Sequence, residues 1–170
     1  ERLAAGADIV LFSGDKLVGG PQAGLIVGRS DLVARLRRDP LARAVRADKA
    51  ILAGVAATLA IYRAGRAALD IPVWEMIAVA PEALRARAEW IRDQVAAEAG
   101  GRSDIAVVAL ESPVGGGSLP GQVLPSFGVS VPATSPSRIA ALLRKGPDRI
   151  LPRIVDDAVV VDLRTVPAFA

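Results

Sequence analysis

Lys16 is one of three lysines in a chain with 21 basic residues, and it stands inside "FSGDKLVGGPQAG", Phe12 to Gly24. A lysine amine becomes a nucleophile when its surroundings depress its pKa, and the best-known use of such an amine is a Schiff base with pyridoxal phosphate. Ser13 offers a hydroxyl suited to a cofactor phosphate, Gly14 lets backbone approach closely, and Asp15 sets a carboxylate beside the amine. A surface lysine in a hairpin would carry the same four residues, and Ser-x-x-Lys recurs in unrelated serine and lysine enzymes. Spacing alone leaves both readings open.

A second constellation is "PLARAVRADK", which puts Arg43 and Arg46 three residues apart and therefore on one face if the segment is helical. Two guanidinium groups so placed clamp a tetrahedral oxyanion well, because each donates two parallel hydrogen bonds. A solvated basic face and a contact with nucleic-acid phosphate are the competing roles. Arg35, Arg37 and Arg38 read as solvated charges. "SPVGGGSLPG", Ser112 to Gly121, has the backbone for an anion nest but lacks the Gly-Lys-Ser/Thr ending of a P-loop, so it is equally a plain connection. Trp74 and Trp90 read as core rather than base-stacking platforms. Glu82, Glu89 and Glu98 read as solvated helix charges.

The chain has neither Cys nor His, which removes disulfides, thiolate metal sites and the usual general base. Catalysis must then rest on Lys, Asp, Glu, Tyr or a cofactor. A net charge of +3 permits a nucleic-acid partner without demanding one. No secretory leader is visible, and the longest uncharged run, Ser112 to Ser137, is too rich in Pro and Gly for a membrane helix.

These residues need elements to position them. Ala7 to Phe12 and Leu25 to Gly28 read as short buried strands of the parallel-sheet kind, joined by a tight connection that carries Lys16. Ser30-Asp31 is expected to cap a helix that stops before Pro40. A long spine helix is predicted over Asp48 to Ala68, with Ile51, Leu52, Val55, Leu59 and Tyr62 as its apolar stripe. A second amphipathic helix runs from Pro81 to Gly100-Gly101, with Leu84, Ala88, Ile91 and Val95 on one face. Beyond it the period becomes strand-like: Ile105 to Leu110, Val123 to Val131, Arg149 to Ile154 and Ala158 to Leu163. A helix from Ser137 to Arg144, capped by Thr134-Ser135-Pro136, interrupts them, and Asp156-Asp157 is a turn. This half is an α+β domain with mainly antiparallel pairing.

The longer string decides what the four residues could not. "FSGDKLVGGPQAG", continued without a gap through "LIVGRSDLVARLRRDPLARAVRADKAILAGVAATLAIY", closely resembles the cofactor-lysine segment of the bacterial L-seryl-tRNA(Sec) selenium transferase family, the selenocysteine synthases. "SPVGGGSLPG" and "VVVDLRTV" resemble that family's C-terminal domain. The resemblance implies an α/β fold-type I pyridoxal-phosphate transferase, of which this chain, opening on what reads as a helix tail at Glu1-Arg2-Leu3, is the C-terminal part. Its layout would be the end of the large cofactor-binding domain over residues 1–47, an interdomain spine helix over 48–68, and a small α+β domain over 69–170.

Residue by residue, the resemblance makes Lys16 the cofactor lysine and proton carrier at Cα, and Asp15 its catalytic neighbour. Ser13, Gly19, Gly20 and Gln22 would be cofactor-binding, with Gly19 to Gln22 lying near a partner subunit's cofactor phosphate. Arg43 and Arg46 would hold selenophosphate. The implied reaction converts seryl-tRNA(Sec) to selenocysteinyl-tRNA(Sec) by β-elimination and selenium addition, in a cytoplasmic homo-oligomer built as a ring of dimers. No metal and no membrane enter it. A pyridoxal-phosphate lyase or aminotransferase acting on a small amino acid is the alternative enzyme, and an α+β interaction module the non-enzymatic one.

Overall fold

The computed structural model describes residues 2–115 and 119–167. They divide into two units, Glu1–Glu75 and Met76–Ala170.

In the first unit, Gly6 (φ 95°) closes a turn in which its N–H reaches Leu3 and the Ala7 N–H reaches Arg2, the bonding pattern of a helix end. Strand β1 (Ile9–Ser13) then pairs with β2 (Gly24–Gly28), Leu11 opposite Ile26. The pairing is antiparallel, not the parallel arrangement expected, because the connection is shorter than the dozen or more residues that a parallel crossover needs. The strands are also less buried than expected: Leu11 is 69% exposed, and Phe12, Ile26 and Val27 are exposed as well. Two strands alone cannot cover either face.

Helix α1 (Ser30–Arg38) follows. Its cap position is Arg29, whose guanidinium bonds Asp31 and Asp8, so the expected Ser30-Asp31 cap does not form. Asp39 accepts from the Leu41 N–H at 2.9 Å and opens α2 (Pro40–Ala44); Asp48 caps α3 (Lys49–Arg63) through the Ile51 N–H at 2.8 Å. The spine helix is shorter than predicted. Gly65 (φ 70°) ends it, with its N–H on Tyr62 and the Arg66 N–H on Ile61, and the chain restarts as α4 (Ala67–Asp70). The apolar stripe is displaced too, since Thr58 is buried while Leu52 and Leu59 are exposed. An unpredicted helix, α5 (Pro72–Ala78), begins on a proline suited to a first turn.

The second unit follows its predicted pattern closely. Helix α6 (Pro81–Glu98) stops at two left-handed glycines, Gly100 (φ 78°) and Gly101 (φ 82°). Strands β3 (Ala106–Pro113), β4 (Val123–Pro132), β5 (Arg153–Val155) and β6 (Ala158–Asp162) form an antiparallel sheet in the order β3-β4-β6-β5. Leu84 and Ala88 of α6 pack with Ile105, Val129 and Leu163 as its core. Trp90, expected in the core, is 64% exposed because it falls off the Leu84–Ala88–Ile91 face.

Strand β5 starts at Arg153 rather than Arg149, whose left-handed φ of 49° and N–H bond to Gly146 keep it in a turn. Asp156 and Asp157 (φ 47° and 58°) make the hairpin turn that joins β5 to β6. Helix α7 (Pro136–Lys145) lies between β4 and β5 in sequence, and Ser135 precedes it without a side-chain capping bond, contrary to expectation. Of the glycine loop, Gly116, Gly117 and Ser118 lie outside the described residues.

Candidate active site

Lys16 sits on the turn that leaves β1, its side chain exposed beside an exposed Asp15, with Ser13 half-buried at the strand end. The backbone of this turn is tied at several points. Gly14 donates to Ala23 at 2.8 Å, Gly19 to the Lys16 carbonyl at 2.9 Å, and Gly20 to the Gly14 carbonyl at 2.8 Å. Two aromatic side chains complete the set. The Tyr62 hydroxyl, from α3, lies 3.0 Å from the Leu17 and Val18 carbonyls, and the Trp74 indole N–H, from α5, reaches Leu17 at 2.7 Å and also Tyr62.

Glycine lets this connection lie against the helices. A Cβ on Gly20 would stand 2.8 Å from the Thr58 hydroxyl, and one on Gly54 would stand 3.0 Å from the Pro21 ring. Gly19 is constrained twice, by a φ of 71° and by Ile71, whose Cγ2 would lie 2.3 Å from an added Cβ. The loop is thus packed into its shape, while Lys16 and Gln22 are exposed.

Arg43 lies on α2, whereas Arg46 follows the end of that helix, so the shared helical face anticipated from their spacing does not form. Both are exposed, and no carboxylate among the described residues pairs with either. Their guanidinium groups are available to an anion. Tyr62, Trp74 and Thr58 were not expected at the site, because they join it only across long stretches of intervening chain, 45 positions from Tyr62 to Leu17 and 57 from Trp74 to Leu17. Tyr62 being the sole tyrosine was a usable signal.

Pyridoxal phosphate needs an accessible amine on a steady backbone, together with polar groups for its phosphate and ring. Lys16 is exposed on a hydrogen-bonded turn, and the half-buried Ser13 is a candidate for the phosphate. These residues fit the covalent anchor of that cofactor.

The second unit holds a different polar cluster. Asp162 accepts from Ser112 at 2.5 Å, Ser126 at 2.6 Å, Arg153 at 2.6 Å and the Arg164 N–H at 3.1 Å. Burial works to raise the carboxyl, but the serine hydroxyls, the Arg164 N–H and the Arg153 charge outweigh it and hold Asp162 below its ordinary value. Arg164, 5% exposed, donates to the carbonyls of Met76, Ile77 and Val79 around the end of α5 and to Pro125. Burial lowers its guanidinium pKa while Asp162 opposes the change. None of the expected site residues belongs to this cluster, which is a structural tie. An open cleft of about 710 Å³ lined by Arg102, Asp104, Thr134, Ser135 and Asp157 also contains none of them. Among the described residues, no helix is long and apolar enough to cross a membrane, and no group of three or more acidic side chains is arranged to hold a metal ion.

Comparison with known proteins gives the family. The family model described as L-seryl-tRNA selenium transferase matches residues 1–167. The chain is similar to the L-seryl-tRNA(Sec) selenium transferase of Moorella thermoacetica, 43% identical over 165 residues, 95% of this chain and 35% of that protein. Its counterparts from Rhizobium meliloti and Hyphomonas neptunium are 45% and 42% identical over 169 and 167 residues, each match taking in 96% of this chain and 36% of the relative. The chain therefore spans about a third of the length of these relatives. With its matched region running nearly end to end, the chain belongs to the L-seryl-tRNA selenium transferase family.

Proposed function

We propose that the protein carrying this chain is a pyridoxal-phosphate-dependent transferase that converts L-seryl-tRNA(Sec) to L-selenocysteinyl-tRNA(Sec), with selenophosphate as the selenium donor. The observation that carries this reading is the exposed Lys16 side chain on a backbone clamped from both neighbouring helices, within a chain that matches the family throughout. In this reading residues 1–47 end the large domain of a fold-type I enzyme, 48–68 link the domains, and 69–170 form the small domain. The protein is a cytoplasmic homo-oligomer, a ring of dimers, and Gly19, Gly20 and Gln22 lie toward a partner subunit's cofactor phosphate.

When bound, pyridoxal phosphate supplies the electron sink that stabilises negative charge at the substrate Cα. Lys16 anchors it and, once displaced by the seryl amine, takes the proton from Cα. Asp15, the carboxylate next to Lys16 in sequence, assists the β-elimination. Ser13 holds the phosphate. Arg43 and Arg46 hold selenophosphate near the β-carbon, where selenium replaces the serine oxygen and phosphate is released. A histidine is unnecessary because Lys16 itself moves the proton.

The deciding experiment mixes the intact protein with pyridoxal phosphate and reduces it with borohydride, in wild type and in Lys16→Ala. Label on the peptide containing Lys16, lost in the variant, is expected. An undiminished covalent adduct in Lys16→Ala would overturn the role given to Lys16.

A further inference from the structure

We infer that Tyr62 and Trp74 are positioning residues for Lys16: by holding the Leu17 and Val18 carbonyls they set the point from which the lysine amine meets its cofactor. This rests on the reading of Lys16 as the cofactor lysine. Two polar tips, from α3 and α5, converge on two consecutive carbonyls directly after Lys16, at 3.0 Å from Tyr62 and 2.7 Å from Trp74. Packing alone accounts for two rings beneath a loop, but phenylalanines would pack there equally well. The hydroxyl and the indole N–H are the added information, and both are spent on the same two carbonyls of the lysine turn and on each other.

Tyr62 has one O–H for two acceptors, and it accepts from the indole, so the pair works as a unit. With Gly19 bonded to Lys16 and Gly20 to Gly14, every residue from Gly14 to Gly20 lies within one peptide of a fixed hydrogen bond. The side chain of Lys16 is nonetheless exposed. A hydrogen-bonded backbone under an exposed lysine is what preorganisation requires of a covalent anchor.

The test uses the intact protein in four forms: wild type, Tyr62→Phe, Trp74→Phe and Lys16→Ala. Three quantities are read: the pyridoxal phosphate concentration giving half-maximal borohydride-fixed label on the Lys16 peptide, the pH midpoint of the bound cofactor's absorbance change, and the melting temperature without cofactor. Tyr62→Phe should raise the half-maximal concentration roughly five- to thirtyfold, the factor that one or two lost hydrogen bonds produce, and should displace the pH midpoint. Trp74→Phe should do the same more weakly, and it carries the test alone should Tyr62→Phe not fold. A lowered melting temperature with unchanged labelling and pH midpoint in folded variants would reduce both residues to structural ones and overturn the inference. Label that persists in Lys16→Ala would instead defeat the reading of Lys16 itself.

Discussion

Gly19 and Gly24 belong to the same connection, yet a methyl group should weigh very differently at the two. At Gly19 a side chain must adopt a φ of 71° and displace Ile71, whereas a Cβ at Gly24 meets nothing within 4 Å. Gly19→Ala is expected to cost about 2–4 kcal/mol, and Gly24→Ala to change stability by less than about 0.5 kcal/mol, in denaturant unfolding. Equal losses would mean that the loop is not packed as described. For the arginines, Arg43→Ala and Arg46→Ala should each raise the selenophosphate KM about tenfold or more, with little change in the salt dependence of tRNA binding. A flattened salt slope at unchanged selenophosphate KM would make them tRNA contacts. At this scale Lys16, Asp15 and Ser13 could be proposed from the sequence because they fall within four consecutive positions. Tyr62 and Trp74 were not, since a hydroxyl donating across 45 residues leaves no local pattern.

Among elements, one carboxylate ties together all four strands of the second unit's sheet. Ser112 on β3, Ser126 on β4 and Arg153 on β5 all reach Asp162 on β6. Because the folded carboxyl sits below its ordinary value of 3.8, its contribution is fully present above that pH and disappears as pH falls through the folded value. Asp162→Asn should therefore cost about 2 kcal/mol at pH 7, and the gap from wild type should close in acid below about pH 3.8. A gap that persists undiminished at pH 2 would assign it to packing instead. Arg164→Met strands three carbonyls around the end of α5 together with Pro125, and should cost roughly 3 kcal/mol by thermal or denaturant melting.

The same elements show what periodicity conveys. Helix α6 was legible because Leu84, Ala88 and Ile91 repeat along a face that is in fact buried. The stripe on α3 was misplaced because Gly54 and Thr58, which the Lys16 loop lies against, do not register as apolar. Gly65 was passed over as a stop, and α5 escaped notice because seven residues hold too few turns to display a period.

For the molecule as a whole, the two units draw on different sources of order. Met76–Ala170 has an apolar core of its own, but much of the apolar surface in Glu1–Glu75, including Leu11, Ile26, Leu41, Val45 and Leu69, is exposed. The chemistry proposed for the chain thus rests on the unit with the thinner core. That contrast gives the clamp on Leu17 and Val18 a kinetic meaning. Exposed connections ordinarily trade their amide protons with solvent in the shortest time that can be measured, and Asp15 and Gln22 should do so. The amides of Gly14, Gly19 and Gly20, each already committed to a carbonyl, should instead retain deuterium label on the timescale of β1 and β2, and release it early in Tyr62→Phe. A loop would then report, by its own exchange clock, how firmly two helices grip the turn that carries the lysine.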